Sequence, residues 1–114
     1  MNPEKPLAPG LFVTAQIAPQ DLPALAARGL RSVINNRPDG EEPGQPASAA
    51  LESAARALGL AYRHVPVTAG SLDEAAIAAF VEALAAGPAP TLAFCRSGTR
   101  STSLWALAEA PRLG

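Results

Sequence analysis

The stretch Thr91-Leu92-Ala93-Phe94-Cys95-Arg96-Ser97-Gly98-Thr99-Arg100-Ser101 changes character at its middle. Four apolar or β-favouring residues, ending at Phe94, give way to a polar and basic turn that contains glycine. An alanine- and leucine-rich run follows as far as Glu109. This order reads as a short buried strand over Thr91–Phe94, a tight loop, and a helix from Ser101 to Glu109. Cys95 is then the first residue past the carboxyl end of a strand, where open α/β sheets place their ligands.

The residues upstream repeat the same alternation. Leu11–Ile17 is β-branched and loosely alternating, and it follows a Pro- and Gly-containing start that reads as flexible. Asp21–Arg28 places Leu22, Leu25 and Ala26 on one face, and Gly29 closes that short helix. Leu30–Asn35 reads as a strand, and the turn formers from Asn36 to Pro46 make a long, mobile loop. A helix over Ser48–Leu58 repeats Leu51, Ala55 and Leu58 and stops at Gly59; a strand over Ala61–Val67 comes next. Ser71-Leu72-Asp73-Glu74 has the pattern of a capping box, opening a helix that carries Ile77, Phe80, Val81 and Leu84. Alternating strands and helices predict an α/β fold: one domain over residues 1–114, with a mostly parallel sheet of four to five strands flanked by helices. The helix-breaking end Ala110-Pro111-Arg112-Leu113-Gly114 suggests a domain cut short at its C-terminus.

With 114 residues the chain has room for one core. Aromatic side chains are limited to Phe12, Tyr62, Phe80, Phe94 and Trp105, so Leu, Val, Ile and Ala should fill that core. A net charge of −1 without basic blocks argues against DNA or RNA as partners. The apolar runs fall well short of the roughly 20 residues that span a bilayer, and the start lacks a signal peptide's pattern. A cytoplasmic protein with no membrane partner is expected. One cysteine makes no internal disulfide, and with one histidine, His64, it builds no zinc site. Neither metal nor cofactor is expected.

Chemistry centres on the Cys95 loop. A helix N-terminus leaves backbone N–H groups without partners and carries about half a positive elementary charge. Gly98 permits the inward turn of successive amides that forms an anion-binding nest. Ser97, Thr99 and Ser101 offer hydroxyl donors, while Arg96 and Arg100 bring permanent charge. Such a field favours the thiolate of Cys95. The bland alternative is a small buried hydrophobe continuing the strand, as free cysteines often are; the place at a strand-to-helix junction, with Gly three and Arg five residues later, favours function over it. Arg100 is the expected ligand arm, with Arg96 pointing to solvent.

The residues Phe94-Cys95-Arg96-Ser97-Gly98-Thr99-Arg100-Ser101 resemble the active-site loop of rhodanese-like sulfurtransferases, whose common pattern is Cys-Arg-Ser-Gly-x-Arg-Ser. Over nearly the whole chain, the element order and two further segments resemble the phosphatase-like domain of beta-lactamase-hydrolase-like proteins. Those segments are Ser32-Val33-Ile34-Asn35-Asn36-Arg37-Pro38-Asp39-Gly40-Glu41 and Tyr62-Arg63-His64-Val65-Pro66-Val67. That family is similar to dual-specificity phosphatases, so the resemblance implies a cysteine-phosphatase-like fold and a cysteine-dependent enzyme.

Two departures bear on the reaction. Four residues separate Cys95 from Arg100, where cysteine phosphatases have five, and Thr68-Ala69-Gly70 stands where they often carry an acid. A shorter nest suits a persulfide on Cys95, and sulfite leaves without a proton donor. The expectation is sulfur transfer from a small anionic sulfur compound, a thiosulfonate or persulfide, to a small thiol. The alternatives are hydrolysis of a phosphoester through a phosphocysteine and a non-catalytic anion-binding module. Asp39, on the loop after the second helix-flanked strand, is a candidate lid acid; Arg37 is a candidate anion contact. Asp73 reads as a helix-start residue and His64 as a hydrogen-bonded structural group, whereas Asn35 and Asn36 either orient substrate or cap turns. A domain this small also suits a fused or partner enzyme.

Overall fold

The computed structural model describes residues 5–109, so the C-terminal break at residues 110–114 lies outside the described residues. The sheet has five strands: β1 (Lys5–Ala8), β2 (Leu11–Thr14), β3 (Ser32–Asn35), β4 (Ala61–His64) and β5 (Thr91–Phe94). Their spatial order is β1-β2-β5-β3-β4. β5 lies between β2 and β3 and is parallel to both, with Ala93 in register with Val13 on one side and Ile34 on the other. β4 extends the parallel set, and β1 pairs antiparallel with β2 at the opposite edge. The helices are α1 (Leu22–Ala27), entered through a 3-10 turn at Pro19–Asp21, α2 (Ser48–Ala57), α3 (Glu74–Ala86) and α4 (Thr99–Glu109). None of the helices formed by the described residues is long and apolar enough to cross a membrane.

Alternation along the central strands divides the core. Val33, Leu92 and Phe94 pack with Leu22 and Leu25 of α1 and Leu51 and Ala55 of α2. Ile34 and Ala93 face the other way, against Phe80 and Ala83 of α3 and Leu104 of α4. All four residues of β5 are buried because both faces of the strand are covered, which explains its unbroken apolar sequence.

Several local expectations are corrected. Lys5–Ala8, expected to be flexible, is strand β1, whose signal is obscured by Pro6. β2 stops at Thr14 because its partner β5 stops at Phe94; the next contact is Gln16 N–H to the Arg96 carbonyl at 3.3 Å. β4 ends at His64, although Val65 and Val67 still donate to the carbonyls of Asn35 and Asn36. Helix α3 is capped by Asp73, whose Oδ1 accepts from Ala76 N–H at 2.9 Å. Ser71 instead closes a turn on Thr68, so the capping box does not form. Val81 is exposed and Ala83 buried, since a helix apolar on most sides gives periodicity little to distinguish.

A buried polar network ties α2 to the carboxyl end of β3. The Ser48 hydroxyl and the Tyr62 phenol share a 2.8 Å hydrogen bond, and Asn35 Nδ2 donates to the same phenol at 3.0 Å. Burial raises the phenol's pKa, against the opposing effect of those two partners. Tyr62→Phe should leave a buried amide and a buried hydroxyl without this partner, lowering stability by about 1–2 kcal/mol in urea denaturation with an unchanged slope. No change in the midpoint would show that the network does not stabilise the fold.

Candidate active site

The loop after β5 is built on its own hydrogen bonds. Cys95 is 0% exposed, and its Sγ accepts from Gly98 N–H at 3.1 Å. Gly98 has φ +92°, a conformation that turns its amide inward at no steric cost for glycine alone. A side chain there would also stand 3.4 Å from the Thr14 carbonyl at the end of β2. Ser97 Oγ donates to Thr99 Oγ1 at 2.9 Å, and Thr102 Oγ1 donates to the Gly98 carbonyl at 2.8 Å. A cleft of about 480 Å³, lined among others by Lys5, Thr14, Ser97, Thr99 and Ser103, runs along this loop.

Arg100, in the first turn of α4, reaches across the carboxyl edge of the sheet. Its two terminal nitrogens donate to the two oxygens of Glu41, each at 2.8 Å, and one of them donates also to the Val67 carbonyl at 2.8 Å. The Glu41 hydrogen bond chiefly raises the Arg100 pKa, against the opposing effect of burial. Arg96 is 67% exposed and lies 3.6 Å from Glu42. Arg100 is thus drawn into the polar layer at the sheet edge, whereas Arg96 points to solvent.

Arg37 is 1% exposed and has a partner for each nitrogen. Nε donates to Glu41 at 2.8 Å, one terminal nitrogen to Gln16 at 3.0 Å and the other to Glu42 at 2.8 Å. Burial opposes its charge, but the hydrogen bonds from Glu42 and Glu41 outweigh it and raise the pKa. Its backbone is fixed as well: Arg37 N–H donates to Asn35 Oδ1, and His64 Nε2–H donates to its carbonyl, both at 2.8 Å. His64 thus has the hydrogen-bonded structural role expected of it.

Other candidates are held by the scaffold. Asp39 Oδ1 accepts from Ser48 N–H at 2.8 Å, satisfying a donor at the start of α2. The buried Ser101 hydroxyl donates to Asn36 Oδ1 at 2.8 Å, while Asn36 Nδ2 donates to the Val65 carbonyl. Asn35 and Asn36 therefore brace the strand ends. The loop read as mobile is laced internally: Glu41 N–H donates to Gln45 Oε1, and Gln45 Nε2 donates to the Pro38 carbonyl.

Sequence reading missed Glu41 and Glu42. Their signal was two consecutive acids on a strand-end loop of a sheet whose carboxyl edge carries Arg37, Arg96 and Arg100. The Arg100 hydrogen bonds, followed by those of Arg37, hold the Glu41 carboxyl down to about 2 from its ordinary 4.5. The depressed value makes its stabilising contribution complete above about pH 4.5 and lost as pH falls through about 2. Glu41→Gln should therefore be less stable than wild type at neutral pH, and the gap should shrink as pH falls across that window. A gap between their urea midpoints that stays constant with pH would show that the ion pair contributes nothing.

The model of the phosphatase-like domain of beta-lactamase hydrolase-like proteins matches residues 5–112. The beta-lactamase hydrolase-like protein of Agrobacterium fabrum is 44% identical over 100 residues, which cover 88% of this chain and 23% of that protein. Its namesake in Xylella fastidiosa is 48% identical over 99 residues, covering 87% and 23%. The chain thus spans about a quarter of the length of these curated relatives. Among solved structures, a candidate phosphatase from Neisseria meningitidis superposes with a TM-score of 0.80 at 32% identity, covering 90% of this chain and 75% of that one. A candidate phosphatase from Shewanella putrefaciens gives 0.73 at 19% identity, covering 93% and 69%, a likeness of fold. With the expected cysteine-phosphatase-like fold in place and a family match over nearly its whole length, the chain belongs to the phosphatase-like domain family of beta-lactamase hydrolase-like proteins.

Proposed function

We propose that this domain is a cysteine-dependent sulfurtransferase that carries sulfur as a Cys95 persulfide. The observation that carries the reading is the pairing of Glu41: both oxygens of the carboxylate accept from Arg100 at 2.8 Å, which favours the ionised form. Asp39, the other acid of the loop, is bound to Ser48 N–H. Neither arrangement supplies the proton that an alkoxide leaving group needs, and general acid catalysis typically contributes about a hundred- to ten-thousandfold. Sulfur transfer from a thiosulfonate makes no such demand. The Cys95 thiolate attacks the outer sulfur of thiosulfate, the S–S bond of the donor breaks, and sulfite leaves with the bonding pair. A small thiolate then attacks the terminal sulfur of Cys95–S–S⁻, forming its own persulfide and restoring the Cys95 thiolate. Gly98 N–H stabilises the sulfur anion, and Arg100 holds the donor's sulfonate.

A second reading, phosphoester hydrolysis through a phosphocysteine, draws support from the family's phosphatase-like description and from the candidate phosphatase of Neisseria meningitidis. It favours aryl esters, whose leaving groups need little protonation. In either case the thiol acceptor or the phosphoester arrives at the carboxyl edge of the sheet. Because the relatives are several times longer, a fused or partner enzyme is the expected consumer of the product.

Mass measurement of the intact chain after incubation with thiosulfate should show one added sulfur, lost on addition of a thiol and absent in Cys95→Ser. The second-order rate constant for thiosulfate-to-thiol transfer should exceed that for both aryl and alkyl phosphate hydrolysis. Faster hydrolysis of both esters would overturn the sulfur reading in favour of the phosphatase one. Arg100→Lys should lower the transfer rate constant by about tenfold or more, since lysine lacks the paired donors that match an oxyanion, and Arg96→Lys should change it little. Reversal of that order would move the ligand arm to Arg96.

A further inference from the structure

Glu41 sits where the oxygens of an incoming anion belong. Arg100 presents two parallel N–H donors to it, both at 2.8 Å, the arrangement in which a guanidinium binds a carboxylate, sulfonate or phosphate. The same carboxylate is held from its other side by Arg37 at 2.8 Å. Beside it, Glu42 bridges Arg37 and Arg96. Two acids thus span three arginines, and the cluster keeps a net charge of +1 (three cations less two anions). Cys95, which precedes Arg96 in the same loop, is fully buried.

A tethered carboxylate competes with free anions at an effective concentration on the order of millimolar or above. A free monoanionic carboxylate that displaces it exchanges one carboxylate–guanidinium pair for an equal one and lacks the tether. A dianion gains a second charge in a cluster with a positive surplus. Displacement is local: the Glu41 side chain is 26% exposed and can rotate outward, and although Arg37 Nε gives up its bond to Glu41, the Arg37 charge stays paired with Glu42 and bonded to Gln16.

We propose that Glu41 is a specificity-determining residue whose carboxylate fills the oxyanion subsite on Arg100 as a tethered competitor, admitting dianionic oxyanions such as thiosulfate or phosphate to Cys95 and turning monoanionic carboxylates away. The inference rests on Arg100 as the anion arm of the proposed function, and holds for sulfur and phosphoryl transfer alike.

The test is protection of Cys95 against iodoacetamide, read by mass, in the intact chain. Sulfate, an unreactive analogue of thiosulfate, inorganic phosphate and acetate are compared at matched ionic strength. In wild type, sulfate or phosphate should protect at about a tenfold lower concentration than acetate, the factor expected from one charge-assisted contact. In Glu41→Gln, acetate should protect as well, closing that gap. Protection by one dianion alone supports the proposal equally and identifies the head group the site prefers. Acetate protecting wild type as well as the dianions do would overturn it, and that arm stands even if the variant folds poorly. An unchanged gap in a folded Glu41→Gln would overturn it too. Arg100→Lys separates the two levels: if it abolishes protection while Glu41→Gln changes nothing, Arg100 remains the anion arm and Glu41 is no competitor. If it leaves protection intact, the Arg100 assignment itself fails, and the proposal with it.

Discussion

Arg37 is a cation almost wholly removed from water, and the carboxyl end of the sheet is organised around that fact. Desolvating a guanidinium costs several kcal/mol unless its donors are met. The chain meets them with Glu41, Glu42 and Gln16, and fixes the surrounding backbone through Asn35 and His64. The position of the loop after β3 follows. Glu41 Oε1 accepts from both Arg37 and Arg100, and Oε2 accepts from Arg100, so one carboxylate joins the two guanidinium groups. Among the described residues no buried side-chain nitrogen or oxygen lacks a hydrogen bond, so this charged cluster is embedded in a fully satisfied polar layer.

The arrangement separates two tasks that cysteine enzymes combine. The sulfur is positioned by short-range geometry: a strand end, a glycine amide and the first turn of a helix. The charge of the site is set by long-range contacts, between residues as far apart in sequence as Glu41 and Arg100. The first depends on packing of β5 between its neighbours and is insensitive to ionic strength. The second is electrostatic: the pairs of Arg37 and Arg100 are largely covered and screened less by salt than the exposed contact of Arg96 with Glu42. Such a site can keep its cysteine in place while only the outermost charges respond to salt.

The sequence disclosed the local half of this design and little of the distant half. The strand Thr91–Phe94, the loop beginning at Cys95, the parallel sheet and the exposure of Arg96 all follow from contiguous patterns, and each has its counterpart in the structure. Asp39 carried no signal of its bond to Ser48, because that contact depends on how a turn-rich loop folds back on α2. Ser101 looked like an anion donor by spacing, yet helix phase sends its hydroxyl inward to Asn36. Glu41 and Glu42 resembled ordinary loop acids, since no local rule reports which cations a strand-end loop will meet. β1 was hidden by Pro6, and the cap of α3 by competition between Ser71 and Asp73 for the same role.

The Tyr62 phenol joins Asn35, at the last residue before the loop, to Ser48, the first residue after it. The loop is therefore a ring clamped at its base. For such a ring, each doubling of length adds only about 0.6 kcal/mol of closure entropy, and none of that cost is transmitted to the clamped ends. Residues added between Gln45 and Ser48 are therefore expected to spare the ends of the loop, whereas loss of Gln45 would release its bonds to Glu41 and Pro38. The fold thus concentrates tolerance of added length in one short segment, apart from the strand end that carries Cys95.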